Sequence, residues 1–299
     1  MRKFINILIF VVSIIALIIY LIVKVITGQL EFGGKMDESS QAFALKSVQY
    51  VDDHFENSPP KVSADTIVNF KELMGGQMRH PSALFPMETP DINRQPKSGL
   101  RAIWFGHATA YVEMDGKRIM TDPMLSKRAF PVKLMAPTRY NPSPIEVEKL
   151  PAIDFVTISH DHFDHLDMKT TQTLAANGAQ FFVGIGIKAH LIRWSVPESQ
   201  IHEMDWWQSV TIGEFTIHCT PARHYSGRTL SRDTTLWSSW VIEGPKHRIY
   251  HSGDTGYSPH FKEIGERFGP INIAFIKIGD YGLDLSWRDV YMHPEKSIQ

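Results

Sequence analysis

The stretch His160-Asp161-His162-Phe163-Asp164-His165 places three histidines and two aspartates in the order H-x-H-x-D-H. Imidazole nitrogens and carboxylate oxygens are donors that a borderline metal ion such as zinc accepts at about 2 Å. In a tight loop at a strand end, His160 and His162 converge on one ion while Asp164 and His165 turn toward a second. A solvated polar loop is the bland alternative. Against it, the preceding run Ile153–Ser159 is almost continuously apolar, as expected of a buried strand that delivers a loop. Two downstream residues are candidates to complete the site: His224 in Thr220-Pro221-Ala222-Arg223-His224, and Asp254 in His251-Ser252-Gly253-Asp254-Thr255-Gly256. Each follows a predicted strand. Alone, an Asp before Thr-Gly usually serves a turn. Beside the histidine cluster both become candidate ligands, and Asp254 suits a carboxylate shared between two ions.

The elements that must hold these residues are readable from periodicity. Arg101–Phe105, Thr109–Met114 and Lys117–Thr121 read as strands, the last two joined by an Asp115-Gly116 hairpin turn. Met168–Asn177 reads as a helix closed by Gly178, and Gln180–Val183 resumes strand. A second series follows, with strands over Phe215–Thr220, Leu236–Glu243, Arg248–Ser252 and Asn272–Ile278 and a helix over Phe261–Phe268. Two groups of strands with interspersed helices predict two sheets covered by helices, a four-layer α/β arrangement. Residues 28–98 carry turn formers such as Gly33-Gly34, Asn57-Ser58-Pro59-Pro60 and Gly75-Gly76, with the stretch Ser39–Phe55 reading as a short helix. This segment reads as a linker plus an arm that wraps the domain.

Phe4–Val23 holds only Asn6 and Ser13 as clearly polar residues, which suits a transmembrane helix. A cleavable signal would be shorter in its apolar part and followed by small residues, and Val25-Ile26-Thr27-Gly28 is a poor cleavage match. Arg2, Lys3 and the terminal amine favour a cytoplasmic N-terminus, with Lys24 and Lys35 opposing, so the catalytic domain is expected outside the cytoplasm. A net charge of −1, from 31 basic against 32 acidic residues, recruits no nucleic acid. The single cysteine, Cys219, excludes an intramolecular disulfide and reads as a small buried hydrophobe. The pair Trp206-Trp207 reads as packing, and His107 is balanced between a structural role and an approach to the metal. Nothing in the sequence sets an oligomeric state.

The ordered motifs His160 to His165, His224 and Gly253-Asp254-Thr255-Gly256 resemble those of the metallo-β-lactamase superfamily. Trp104-Phe105-Gly106-His107-Ala108-Thr109, Thr121-Asp122-Pro123, Asp205-Trp206-Trp207 and Leu236-Trp237-Ser238-Ser239-Trp240 narrow the resemblance. They point to the branch of N-acyl-phosphatidylethanolamine-hydrolysing phospholipases D. The resemblance implies a four-layer αββα fold and three parts: an anchor over 1–27, the arm over 28–98 and a hydrolase domain over 99–299. It implies two zinc ions, the first held by His160, His162, His224 and Asp254, the second by Asp164, His165 and the shared Asp254. Iron or manganese suit the same donors. In the family a further histidine for the second ion comes from a later His-Trp-Gly stretch that this sequence lacks. On that ground, and because Pro294–Gln299 reads as the first turn of a helix, the chain is expected to be C-terminally incomplete, with a weak second site. Lys277 departs from the family pattern, which has proline there.

By the same resemblance, the expected reaction is cleavage of an N-acylated phosphatidylethanolamine or related phosphodiester by a metal-bound hydroxide. Asp164 and Asp254 would be catalytic, and His293 would contact the substrate phosphate. The partners would be the phospholipid and, through residues 4–23, the membrane. The alternatives are a lactonase or other ester hydrolase on the same site, a membrane protein with a structural zinc, and an inactive truncated product.

Overall fold

The computed structural model describes residues 2–60, 83–92, 99–132, 138–229, 231–279 and 289–298. The predicted Gly75-Gly76 turn and residues 280–288 lie outside them.

Helix α1 (Arg2–Thr27) carries an apolar stretch, Phe4–Thr27, that is long enough to cross a membrane. At about 1.5 Å per residue its 24 residues reach roughly 36 Å. Its apolar side chains are exposed all round, the opposite of a core helix. Helix α2 (Glu38–Ala44) starts on Asp37, whose carboxylate accepts from Ser40 N at 2.8 Å. The helix expected within Ser39–Phe55 stops there. A hairpin of β1 (Tyr50–Val51) and β2 (His54–Phe55) follows instead. Asp52 and Asp53 turn it with φ of 47° and 63°, a left-handed conformation that Asp tolerates and a right-handed helix cannot include.

One sheet has six strands in sequence order: β3 (Leu100–Gly106), β4 (Thr109–Met114), β5 (Lys117–Thr121), β6 (Phe155–Ile158), β7 (Gln180–Gly184) and β8 (Ile201–Met204). The β3, β4 and β5 strands are antiparallel, whereas β5 to β8 are parallel. The β4–β5 turn has φ of 50° at Asp115 and 87° at Gly116, as a two-residue hairpin requires. The second sheet runs β13-β12-β11-β10-β9, where β9 is Ser209–Ile212, β10 Phe215–Thr220, β11 Ser239–Glu243, β12 Arg248–His251 and β13 Ile273–Phe275. Sequence reading had extended β11 back to Leu236 and β13 on to Ile278. It had no element at β8, β9 or α4 (Lys188–Arg193), each too short to show a period.

Alternation along the strands builds three cores. Tyr111, Met120, Val156 and Phe181 face α4 and α3 (Met168–Ala176), which contribute Leu191 and Leu174. Their neighbours Val112, Ile119, Phe155 and Phe182 point the other way, onto Ile217, Cys219, Trp240 and Ile242 of the second sheet. The outer face of that sheet buries Val241 and Tyr250 under Ile264 of α5 (His260–Phe268). The layers are therefore α/β/β/α. Period-two alternation with both faces covered makes the central strands mostly apolar, with Glu113 and Thr157 among the buried exceptions. The two sheets are also tied at one end by Asp115. Its carboxylate accepts from His247 Nδ1 at 2.6 Å and from Lys246 N and His247 N at 3.0 Å each.

Phe182 is fully buried where the sheets meet. Phe182→Ala is expected to lower stability by about 3–5 kcal/mol. The urea midpoint of the purified chain checks this, and a change below about 1 kcal/mol would contradict the packing described.

Candidate metal centre

Strands β5 and β6 run parallel, with Thr121 opposite Thr157, so the chain leaves both at one sheet edge. Asp122 follows β5 and Ser159 follows β6. The buried Asp122 carboxylate accepts from Ser159 N at 2.7 Å and from Ser159 Oγ at 2.6 Å. It also accepts from His165 Nδ1 at 2.8 Å. A loop that curls back on itself carries the donors: His165 N and Leu166 N both donate to His162 O. His224 follows β10, and Asp254 follows β12 after the left-handed Gly253. A Cβ on Gly253 would stand 2.4 Å from Ser159 Cβ, so only glycine lets the two loops approach.

Three sets of donor atoms each fall within 4.8 Å: His160, His162 and His224; His107, Asp164 and His165; and His160, His165 and Asp254. Asp254 faces both of the others, with Oδ1 at 3.5 Å from His165 Nε2 and Oδ2 at 4.0 Å from His224 Nε2. Sequence reading had joined the six residues His160, His162, Asp164, His165, His224 and Asp254, and the structure brings all six together. It adds His107, whose Nε2 lies 2.9 Å from Asp164 Oδ2 and 3.3 Å from His165 Nε2. His107 holds φ of 51° after the left-handed Gly106, and Trp104 Nε1 donates to its carbonyl at 2.7 Å. The visible signal was a Gly-His pair at the end of a predicted strand.

The donors suit a cation. His160 Nδ1 is taken by Ser159 Oγ at 2.9 Å and His224 Nδ1 donates to Val290 O at 3.1 Å, so both rings aim Nε2 into the centre. His160 Nε2 stands only 2.8 Å from His162 Nδ1, and His224 Nε2 is buried without a hydrogen bond. Burial first, then the neighbouring imidazoles and chiefly His160, pulls His162 down to about 3. Burial likewise holds His160 and His224 well below the usual histidine range. Neutral imidazoles with converging lone pairs are what a divalent ion coordinates. His165 differs. Burial opposes its charge, but Asp254, Asp164 and Asp122 outweigh burial and lift it well above that range.

Two surrounding residues were not read from the sequence in these roles. Asn57, from the arm, holds the His224 backbone in both directions, donating to its carbonyl at 2.8 Å and accepting from its N–H at 3.0 Å. Lys277 sets its ammonium 3.0 Å from Asp254 Oδ1 and 3.2 Å from Oδ2. His293 belongs to none of the three donor sets. It caps helix α6 (Pro294–Ser297), where its carbonyl accepts from Lys296 N at 2.9 Å.

With the four layers and the clustered donors at one sheet edge, the class is defined. The sequence profile described as "Beta-lactamase superfamily domain" matches residues 117–299, and the chain belongs to that metallo-β-lactamase superfamily. It is 46% identical over 220 residues to an uncharacterised protein of Mycobacterium tuberculosis, covering 73% of this chain and 59% of that one. It is 36% identical over 214 residues to an N-acyl-phosphatidylethanolamine-hydrolyzing phospholipase D of Caenorhabditis elegans, covering 68% and 60%. The chain thus spans about three fifths of the length of these curated relatives. Among solved structures, a metallo hydrolase of Ignicoccus hospitalis superposes with a TM-score of 0.46 at 24% identity, covering 67% of this chain and 76% of the other.

Two outcomes are expected. His224→Ala and His162→Ala each weaken metal binding at least tenfold, read as bound metal after dialysis, with far-ultraviolet circular dichroism unchanged. Wild-type metal content in both variants would remove these residues from the site. Lys277→Met frees Asp254 from its ammonium partner and is expected to raise affinity for a divalent ion about tenfold, roughly 1.4 kcal/mol. A cobalt titration of the two proteins reads this, and unchanged or weaker binding would show that Lys277 does not compete there.

Proposed function

We propose that the chain is a zinc-dependent phosphodiesterase acting on N-acyl-phosphatidylethanolamine-type lipids at the membrane to which α1 anchors it. The observation that carries the metal part is the pair of donor sets flanking Asp254. His160, His162, His224 and Asp254 would hold one ion, and Asp164, His165 and Asp254 would hold the other, with His107 as a further donor. Zinc suits three neutral imidazoles better than magnesium or calcium, which prefer oxygen. A structural zinc would instead call on thiolates. Cys219 is buried between the sheets with its thiol pushed up by burial.

When bound, the ions acidify water and neutralise charge developing on the phosphoryl oxygens. The protein supplies the rest. Asp164 is 42% exposed in its side chain, so its carboxylate reaches solvent and accepts a hydrogen bond from water, which orients that water. His107 Nε2, 2.9 Å away, orients that carboxylate. Lys277, brought beside Asp254, offers a positive charge to an anionic substrate. His293 contacts the substrate phosphate from the α6 side.

The lipid class is supported by the similarity to the nematode phospholipase D described above. An apolar α1 fits a substrate that never leaves the bilayer. The positive residues ahead of it favour a cytoplasmic N-terminus, which sets the domain of residues 99–299 on the other side. Residues 28–98 then form the linker and arm.

Full-length protein in mixed micelles is expected to release N-acylethanolamine and phosphatidic acid. Chelation should abolish the activity and zinc should restore it. The same panel offers lactones, thioesters and β-lactams. Strong lactone turnover without phosphodiester turnover would replace this reading with an ester hydrolase.

A further inference from the structure

In the motif His160-x-His162-x-Asp164-His165, the intervening residues Asp161 and Phe163 and the following Leu166 point away from the metal donors. All three are held from one side, and the holding groups lead back to the residues directly after α1.

Arg228 is 5% exposed and carries most of this connection. Its Nε and Nη2 donate to Glu31 O at 3.0 Å and 2.6 Å, and its Nη1 donates to Asp161 O at 2.7 Å and to Leu166 O at 2.9 Å. Its guanidinium lies 4.0 Å over the Phe163 ring. A second route is apolar: Phe32, 5% exposed, meets the Phe163 ring edge-on with centroids 5.5 Å apart. A third runs through Gly33. Its φ of +81° and the 2.1 Å that would separate a Cβ from His190 Nδ1 press the backbone against that imidazole. His190 Nε2 in turn reaches Asp161 Oδ2 at 3.3 Å.

Beyond the single 3-10 turn over Leu30–Phe32, in which Gly33 N donates to Leu30 O at 2.9 Å, the segment takes its hydrogen bonds from the domain. Arg193 donates to Gly28 O and Gly33 O, both at 2.7 Å, and Trp194 Nε1 donates to Leu30 O at 2.6 Å. These carbonyls lie at exposed or part-buried positions, where water is the alternative partner. A flexible tether would leave them to water. Here they are fixed to groups that also contact the metal loop.

We propose that residues 28–33 are a working part of the metal centre: a clamp, closed by Arg228, that fixes the conformation of the His160–His165 loop from behind. Arg228 is a positioning residue, acting through the backbone of Asp161 and Leu166. The inference rests on the metal-centre reading above. Its membrane corollary rests on α1 as a span. The clamp starts at the residue after Thr27, so anchoring and ligand geometry are one mechanical unit.

The test uses full-length protein in nanodiscs, with cobalt as the probe, and compares wild type with Arg228→Lys, Gly33→Ala and the control Leu17→Ala within α1. Lysine keeps the charge but lacks the fork that serves four bonds. Gly33→Ala leaves Arg228 intact and displaces the segment. Cobalt affinity and amide hydrogen exchange are read together. Expected is a loss of affinity of tenfold or more in Arg228→Lys and Gly33→Ala, with faster exchange confined to residues 160–166, and no change in Leu17→Ala. Unchanged affinity in both clamp variants would overturn the proposal. So would exchange accelerated equally in β10 and β11, because that marks general destabilisation. If wild type binds no cobalt, the metal-centre reading fails first. Neither readout depends on which substrate the protein hydrolyses.

Discussion

The carboxylate of Asp122 holds the loop after β6 and orients one of its histidines. It takes the backbone and hydroxyl of Ser159 and the Nδ1 of His165, and His251 Nε2 lies 3.6 Å away. Ser159 then occupies His160 Nδ1, so one buried carboxylate orients two rings, His165 directly and His160 through one hydroxyl. Losing it would leave several buried donors unsatisfied at once, which costs more than the hydrogen bonds themselves. Parallel pairing of β5 and β6 makes this possible, since it brings residue 122 and residue 159 to the same edge.

Much of the architecture was legible because its signals are local. Alternating or continuously apolar strands, an Asp-Gly turn and a glycine-closed helix identified the central strands of both sheets and two of the helices. The short elements β8, β9 and α4 were not, since four to six residues hold too little of any period. Ser39–Phe55 failed for a related reason. Its composition admits a helix throughout, whereas the chain leaves the helix after Ala44, enters a strand at Tyr50 and turns at the left-handed Asp52 and Asp53.

In the site, the clustered residues His160 to His165 announce themselves by density. His224 and Asp254 became readable only beside that cluster. The groups that orient them have no such density: Asp122 lies far from the cluster in sequence, Asn57 sits in the arm, and Arg228 follows a loop of ordinary composition. Their roles come from long-range contacts. Lys277 was visible as an unusual residue, yet its ammonium beside Asp254 appears only in three dimensions.

The tie between Asp115 and His247 has a mechanical consequence. Asp115 precedes β5 and His247 precedes β12, so this tie lies at the end of the sandwich opposite the donors. His160, His162 and His165 belong to one sheet, while His224 and Asp254 belong to the other. The two sheets are thus joined at both ends, because at the donor edge Ser238 N donates to Ser159 O at 2.7 Å and Trp240 Nε1 to Ile158 O at 3.0 Å. The frame sets the spacing of donors drawn from both sheets before any ion arrives. A cation placed there would add a further cross-link between the sheets, and its binding free energy would add to the stability of the folded sandwich.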